Sequence, residues 1–309
     1  MKIFITGATG FVGINVVNAL KQNHELVLLV RNPERAGSLF GDECEYVIGD
    51  VRNSDALAKG LEKADAVIHI AGLIKSFNPD ELYETNRLGT RKLAERIADT
   101  NIENIIYVSS LAARGPDGVD HPVSHYGYSK RLGEYELVNI CFDRNPKILR
   151  PTIIYGPYER YFFKLFEMAE RGFFPILKHV LFSYVHVFDV VEAIVRLLDF
   201  KARRVSVYTI SDGDCYTMDE LADLICKVMG KNRLMRMPLT ASVARLITVL
   251  GYPLGEKLPF SFDKTREMDV DGWCCDFAAL REDVDFEPKY NLKRGLEETY
   301  GWYKEHGWL

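Results

Sequence analysis

The sequence lacks the features that mark nucleic-acid-binding, membrane-spanning and low-complexity proteins. Its 39 Lys and Arg against 44 Asp and Glu give a net charge of −5, so the chain has no basic excess that would attract nucleic acid. No apolar run approaches the roughly 20 residues that a transmembrane helix requires. Repeats and biased segments are absent as well. We therefore expect a small-molecule substrate, no nucleic-acid partner and no membrane span.

Metal-binding patterns and obvious disulfide patterns are also missing. His121 and His125 are four positions apart, but a proline between them favours a loop over a metal-binding helix. The strand-like run directly after Met1 leaves no room for a signal peptide, which favours the cytoplasm. We expect no metal site, and six thiols in a reducing compartment: Cys44, Cys141, Cys215, Cys226, Cys274 and Cys275.

Strand and helix patterns alternate along the first half of the chain, which is typical of a parallel sheet with helices on both faces. Short apolar runs indicate strands, and apolar residues at helical spacing indicate the helices between them. The predicted strands lie at 3–6, 26–30, 46–48, 66–70, 105–109 and 147–150, and the clearest helices at 11–21, 79–100 and 123–142. The pattern predicts an α/β fold, a Rossmann doubly wound parallel sheet.

The composition changes after residue 150, where the stretch from Tyr155 to Phe174 is rich in aromatic residues. Two further strands are predicted at 184–187 and 206–210, around a helix near 190–199. We expect a Rossmann domain over 1–155, with the segment of about 180–212 returning to it. Residues 156–309 then form most of a smaller C-terminal α+β substrate domain, which caps the carboxyl ends of the strands where ligands bind in such sheets.

A glycine-rich segment separates the first predicted strand from the first helix. Gly7 permits the tight turn, Gly10 lets backbone approach a pyrophosphate, and Gly13 lets the helix pack close to the strand. The amino end of the helix directs its free N–H groups and the positive end of its dipole at the phosphates. The segment therefore predicts a dinucleotide site formed by Gly7, Thr9, Gly10, Phe11, Val12 and Gly13.

The spacing Gly-x-x-Gly-x-x-Gly resembles the extended branch of the short-chain dehydrogenase/reductase superfamily, the NAD-dependent epimerase/dehydratase family. Other segments resemble that family in the same order along the chain: Gly49-Asp50-Val51, His69-Ile70-Ala71-Gly72, Asn86-Arg87-Leu88-Gly89-Thr90, Arg150 to Pro157, and the tail with Trp273, Asp276 and Phe286-Glu287-Pro288. The resemblance implies a homodimer and a cofactor site that also includes Asp50, Val51, Ala71, Gly72 and Pro151.

The residue after the second strand indicates which nicotinamide nucleotide is bound. NAD enzymes usually hold the ribose hydroxyls there with an Asp or Glu. Here Arg31 follows Val30, and its guanidinium suits a 2′-phosphate by charge and geometry; Arg35 could assist. We expect NADP(H) more than NAD(H). The alternative is that Arg31 is a solvated surface residue and NAD is accepted.

A Tyr-x-x-x-Lys pattern, Tyr126 to Lys130, places a phenol and an ammonium on one helix face. The ammonium would lower the pKa of the phenol so that it exchanges a proton near neutral pH. The resemblance implies that Ser110 binds the substrate oxygen, and that Tyr126 and Lys130 contact the cofactor as well as the substrate. Asn86 is either a fourth member or a plain helix residue. A second instance, Tyr300 to Lys304, is interpreted as a terminal-helix coincidence.

Three departures from the family's patterns bear on the reaction. Leu111 and Ala112 after Ser110 cannot perform the acid–base chemistry of a dehydratase. Ile153 occupies the place of a nucleotide-binding Asn, and the gap of 16 positions from Ser110 to Tyr126 is short for a sugar-nucleotide enzyme. We expect an NAD(P)-dependent oxidoreductase for secondary alcohols or ketones, similar to hydroxysteroid dehydrogenases and dihydroflavonol reductases.

Two other functions stay open. An NAD-dependent sugar or sugar-nucleotide epimerase would use the same Tyr126, and a non-catalytic NAD(P)-binding protein would use the nucleotide site alone. The aromatic stretch favours a less polar substrate, although most of its rings are expected to be core. Four basic residues could instead serve a phosphate-bearing substrate: Arg160, Lys164, Arg171 and Lys178.

Overall fold

Strands and helices alternate through the first half of the computed structural model, which describes residues 1–177, 180–250 and 261–309. The strands are β1 (Lys2–Thr6), β2 (Glu25–Val30), β3 (Glu45–Ile48), β4 (Ala66–His69), β5 (Asn104–Val108), β6 (Lys147–Pro151), β7 (Ile153–Tyr155), β8 (Phe173–Leu177), β9 (Leu181–Phe182), β10 (Tyr184–His186), β11 (Ser206–Ile210), β12 (Tyr216–Thr217), β13 (Met235–Leu239) and β14 (Gly272–Trp273).

The helices are α1 (Phe11–Leu20), α2 (Pro33–Phe40), α3 (Ser54–Leu61), α4 (Pro79–Leu82), α5 (Gly89–Ala98), α6 (His125–Cys141), α7 (Arg160–Glu170), α8 (Val187–Asp199), α9 (Met218–Val228), α10 (Ala241–Leu250), α11 (Phe262–Arg266), α12 (Ala278–Val284) and α13 (Leu292–Glu305). Across the described ranges, none of the helices combines the length and the apolar character needed to cross a membrane.

Seven parallel strands form the central sheet, in the order β11-β6-β5-β4-β1-β2-β3. The middle of β1 is apolar at each position because both of its faces are buried. Ile3 and Ile5 pack into the core on one face of the sheet, whereas Phe4 packs into the core on the other. A parallel sheet covered on both faces needs strands without polar alternation. The predicted Rossmann fold is confirmed.

The later part of the chain returns once to this sheet and otherwise builds around a third apolar core. β11 pairs with β6 at the edge of the sheet. The third core contains buried rings from α7, β8 and α13, among them Phe162, Phe166, Phe174 and Tyr303. These rings are structural, as expected for most of the aromatic stretch. The division into two domains stays a prediction.

The predicted helix over 79–100 is interrupted at its centre. α4 and α5 are joined by a π-helical segment, Tyr83–Leu88, which contains Asn86. A π-helical turn widens the helix by one residue and is often found at functional sites. The apolar spacing alone does not reveal it, because the residues on either side keep a helical pattern.

The expectation that all six cysteines are thiols is wrong for two of them. Cys215 and Cys274 form a disulfide, with 5.8 Å between their Cα atoms. Cys215 directly precedes β12 and Cys274 directly follows β14, and both of these strands pair with β9. The shared partner strand brings together two residues that are 59 positions apart in sequence.

Candidate active site

The glycine-rich turn brings α1 against the end of β1. Gly7 has φ +77°, and a Cβ atom there would lie 2.6 Å from the backbone nitrogen of Ala71. At Gly13 a Cβ atom would lie 2.1 Å from the carbonyl oxygen of Gly7, so any side chain would push the helix away. Gly10 precedes α1 without a side-chain cap, which leaves the N–H groups of the first turn for an anion. The turn therefore fits the diphosphate of a dinucleotide.

Two arginines lie beside this turn. Arg31 is exposed directly after β2, and Arg35 donates a hydrogen bond from Nη2 to the carbonyl oxygen of Thr9, at 3.1 Å. Asn32 caps α2 by accepting from the backbone nitrogen of Arg35, which fixes where that helix begins. Phe11 and Val12 are half-buried in the first turn of α1. A nucleotide on the turn would thus meet positive charge at the end of β2.

The other expected cofactor residues follow neighbouring strands of the sheet. Asp50 follows β3, and Arg52, which donates to it from Nη2 at 2.7 Å, lowers the pKa of its carboxyl group. Val51 packs against Gly89, where a Cβ atom would lie 2.5 Å from Val51 Cγ2. Because the carboxyl ends of parallel strands meet at one edge, these residues share that edge with Ala71 and Gly72 after β4 and Pro151 at the end of β6.

Tyr126 and Ser110 approach each other across the end of β5. Ser110 caps the short helical turn Leu111–Ala113, and its hydroxyl interacts with the Tyr126 phenol. Burial raises the pKa of Tyr126 above its ordinary value; the bond from Ser110 and the charge of Lys264 oppose the shift, and Glu267 adds to it. The expected lowering of the Tyr126 pKa by Lys130 is wrong: desolvation is the largest effect, and the cation that opposes it is Lys264. The phenol holds its proton at neutral pH.

Lys130 lies one turn along α6, buried beneath the strand ends. Its ammonium donates to the carbonyl oxygen of Val108 at 2.9 Å and lies 4.3 Å from the centre of the Tyr107 ring. Burial lowers the pKa of Lys130 to about 7, while Glu134 opposes the shift. A Cβ atom on Gly72 would lie 3.5 Å from Lys130 Nζ, which places the ammonium beside the expected cofactor segment.

Ser109, the neighbour of Ser110, has a different role. Its hydroxyl donates to Glu134 Oε1 at 2.5 Å, and Arg150 donates to both oxygens of the same carboxylate, at 2.9 and 2.5 Å. Glu134 is only 7% exposed in its side chain, so this is a buried ion pair that ties α6 to β6. Ser109 is therefore committed to structure, whereas Ser110 faces Tyr126.

Asn86 ties the segment after β4 to α6. Its amide accepts from the backbone nitrogen of Leu73 at 2.7 Å and donates to the carbonyl oxygen of Leu73 at 2.8 Å. The same amide donates to Ser129 Oγ at 2.8 Å, and Ser129 in turn donates to the carbonyl oxygen of Tyr126. Asn86 is completely buried. It therefore holds the cofactor segment and the Tyr126 helix in register, and its amide makes no hydrogen bond to Lys130.

A group that sequence reasoning missed comes from α11, near the end of the chain. The carboxylate of Asp263 accepts from the backbone nitrogens of His125 and Tyr126, at 2.5 and 2.9 Å. Ser124 donates to Glu267 Oε1 at 2.7 Å. Carboxylates at the amino end of a helix satisfy its free N–H groups and complement its dipole. No motif signals this contact, because the partners are 137 to 143 positions apart.

Lys264, next to Asp263, was missed as well. Its ammonium lies 2.5 Å from Glu267 Oε2, and 53% of its side-chain surface is accessible. Burial alone would still lower the pKa of Lys264, although the charge of Glu267 outweighs it and the net shift is upward. Tyr161 on α7 is also 53% exposed, and burial raises its pKa. Both side chains are thus about half exposed, and both lie close enough to Glu267 for its charge to act on them.

The remaining residues considered from the sequence lie elsewhere. Arg160, Lys164 and Arg171 are exposed, and Lys178 lies outside the described residues. Tyr300 and Lys304 belong to α13, where Tyr300 stacks on Phe166 of the third core. The second Tyr-x-x-x-Lys pattern is thus part of a packing interface.

Comparisons with known proteins show the family and the fold of the chain. The model of the NAD dependent epimerase/dehydratase family matches residues 3–211. The chain is 35% identical to a ceramide reductase of Caulobacter vibrioides, over 99% of this chain and 96% of the relative. It is 27% identical to a UDP-glucose 4-epimerase of Vibrio cholerae, over 96% and 94%. Its fold matches the structure of MoeE5 in complex with UDP-glucuronic acid and NAD with a TM-score of 0.80, at 21% identity over 99% of this chain and 100% of that one.

Proposed function

Because the chain belongs to the NAD dependent epimerase/dehydratase family, we propose that it is an NAD(P)-dependent oxidoreductase that interconverts a ketone and a secondary alcohol. The observation that carries this proposal is the pairing of Ser110 with a protonated Tyr126 beside Lys130. The nucleotide would be held by the glycine-rich turn and by the segments after β2, β3, β4 and β6. When bound, it supplies or accepts the hydride.

The protein's own residues would handle the substrate oxygen and its proton. The Ser110 hydroxyl donates a hydrogen bond to the ketone oxygen and stabilises the negative charge that develops there. Tyr126 then gives that oxygen its proton, as a general acid whose pKa is raised by burial. In the direction of oxidation, only the deprotonated phenolate of Tyr126 could take the proton from the alcohol. Lys130, held by the Val108 carbonyl, would contact the cofactor.

Reduction of a ketone fits this site better than dehydration. A dehydratase needs an additional acid and base next to the serine, but Leu111 and Ala112 are apolar and buried in the turn that Ser110 caps. The ceramide reductase relative matches nearly the whole of both chains. We propose that the substrate is a lipid ketone of the ceramide class, which agrees with the less polar substrate expected from the sequence.

The proposed cofactor is NADP(H). Arg31 stands where NAD enzymes usually present a carboxylate, and Arg35 is anchored on the phosphate turn through Thr9. Together they offer two guanidinium groups that can each donate paired hydrogen bonds to a 2′-phosphate.

The second candidate is a sugar-nucleotide epimerase. The 27% identity to a UDP-glucose 4-epimerase, over nearly all of both chains, favours it. Purified protein should be assayed for NADPH-dependent reduction of a 3-oxo amide lipid and, separately, for interconversion of UDP-glucose and UDP-galactose. We expect ketone reduction and no epimerisation. Epimerisation by a protein that retains NAD through purification, with no ketone reduction, would replace the first proposal with the second.

A further inference from the structure

Side chains from two distant parts of the chain lie near the candidate catalytic tyrosine. Lys264 lies on α11, Glu267 directly follows that helix, and Tyr161 lies on α7. The charges of Lys264 and Glu267 act on Tyr126. We call Tyr161, Lys264 and Glu267 the cleft triad. α11 is fixed in place by the hydrogen bonds from the amino end of α6 to Asp263 and Glu267. Lys264 and Glu267 therefore have a defined position relative to the amino end of α6.

The cleft triad can donate hydrogen bonds to a ligand through the Lys264 ammonium. Glu267 Oε1 accepts from Ser124 and its Oε2 accepts from Lys264, so both carboxylate oxygens are engaged. An ammonium group carries three N–H donors. In the described part of the chain only Glu267 accepts from Lys264, so two of the three N–H groups can donate to another acceptor.

The charge of the triad is balanced. Glu267 is 9% exposed in its side chain and lies 2.5 Å from the ammonium, so it neutralises Lys264 at close range. Arg266, on the same helix, is exposed, and its charge acts on Tyr83 rather than on Tyr126. A diphosphate needs cations whose charge is not already compensated, since the Glu267 carboxylate would repel it. An uncharged acceptor meets no such repulsion.

We propose that the cleft triad is a substrate-recognition subsite in which Lys264 donates hydrogen bonds to an uncharged acceptor, an amide carbonyl or hydroxyl adjacent to the reacting ketone. This proposal rests on the proposed ketone chemistry of Tyr126 and adds to it how the substrate is recognised. The subsite selects amide ketones over plain ketones of the same length, because a plain ketone has no second acceptor for the Lys264 ammonium. It gives sugar nucleotides no anchor for their phosphates.

Titration calorimetry on protein saturated with NADP⁺ tests the subsite without turnover. The probes are an N-alkyl 3-oxo amide, a plain ketone of equal chain length, and UDP-glucose. A hydrogen bond to a charged group contributes about 1.5–3 kcal/mol, so wild type should bind the amide ketone roughly 10- to 100-fold more tightly than the plain ketone. Lys264→Met should lose this preference and bind the plain ketone within about threefold of wild type.

Removing the lysine alone leaves a buried carboxylate without its cation, which can destabilise the fold. The double variant Lys264→Met/Glu267→Gln avoids this, because the glutamine oxygen can still accept from Ser124. It should show the same loss of amide preference with a normal thermal unfolding midpoint. Lys293→Met, on the exposed face of α13, is the matched control and should keep the preference.

The outcomes separate the two proposals. If wild type reduces ketones but shows no preference for the amide, the subsite is overturned and the function stands. The same holds if the amide preference survives Lys264→Met. Amide-selective binding without any ketone reduction overturns the function and leaves the subsite. UDP-glucose binding that weakens in Lys264→Met would show a phosphate site, and failure of both ketones to bind would overturn both proposals.

Discussion

Asp263 and Tyr126 are joined by a hydrogen bond of 2.9 Å from the backbone nitrogen of Tyr126 to the Asp263 carboxylate, across 137 positions of sequence. A second bond from His125 makes the contact bidentate. The helix that carries the candidate proton donor therefore begins at a carboxylate from the C-terminal region. The C-terminal region and the helix that carries Tyr126 are held together by the free N–H groups of one helix end.

Asp263→Ala should weaken the contact between α11 and the amino end of α6, which we call the junction. Loss of a carboxylate at a helix amino end costs about 1 kcal/mol, which corresponds to a fall of roughly 2–4 °C in the unfolding midpoint of a larger domain. We also expect a higher KM, because α11 carries Lys264 of the cleft triad. Asp269→Ala is the control, since its ion pair with Arg245 is exposed on both sides and exposed pairs contribute little. Equal effects of the two substitutions on KM would contradict the junction.

Ser110→Ala and Ser109→Ala should affect different properties. Removing the donor from Ser110 should lower kcat by roughly 10²- to 10³-fold with little effect on nucleotide binding. Ser109→Ala removes a bond to the buried Glu134 and should lower stability by about 1–3 kcal/mol while most of kcat is retained. Steady-state kinetics and denaturant unfolding of both variants measure this. A larger loss of kcat in Ser109→Ala would reverse our assignment.

The extent to which the sequence predicted these features depends on how local they are. Gly7 and Gly13 belong to a short segment whose strand and helix neighbours are adjacent in sequence, so the turn could be predicted. Ser110 follows a strand and could be placed in the same way. Asp263 and Lys264 reach the site through tertiary packing, which no local pattern encodes.

Two further features depend on non-local structure. The Cys215–Cys274 disulfide depends on both flanking strands pairing with β9, a two-residue strand that has no periodic signature. The raised pKa of Tyr126 depends on desolvation by residues from several elements, and spacing to Lys130 gives no measure of it. Sequence patterns predict the residue types for the chemistry, and packing determines their protonation.

Lys130 should make stability depend on pH. Burial lowers its pKa to about 7 in the folded protein, whereas an unfolded lysine keeps its proton up to about pH 10. Between these values the unfolded state binds more protons, so wild-type stability rises with pH. The measured quantity is the free energy of unfolding of wild type minus that of Lys130→Met. This difference should be smaller at about pH 6 than at about pH 9, by about 1.4 kcal/mol per unit of pKa shift that is titrated. Denaturant unfolding of both proteins at the two pH values checks this. If the stability difference between wild type and Lys130→Met is the same at both pH values, the Lys130 ammonium is not desolvated.

Arg31 should control the choice of nucleotide. Arg31→Asp would place a carboxylate where NAD enzymes hold the ribose hydroxyls and would repel a 2′-phosphate. We expect wild type to bind NADPH more tightly than NADH in fluorescence titrations, and the variant to reverse that order. Arg203→Asp, which lies between α8 and β11 and away from the glycine-rich turn, controls for net charge. A wild type that prefers NADH would refute the assignment of Arg31.

The most direct test of the account is turnover by Tyr126→Phe, with Tyr128→Phe as the matched control. Tyr128 lies on the same helix and is 43% exposed. NADPH-dependent reduction of a 3-oxo amide lipid should fall by roughly 10²-fold or more in Tyr126→Phe and stay near wild type in Tyr128→Phe. Both variants should bind NADPH as wild type does. Full turnover by Tyr126→Phe would contradict the claim that this phenol supplies the proton.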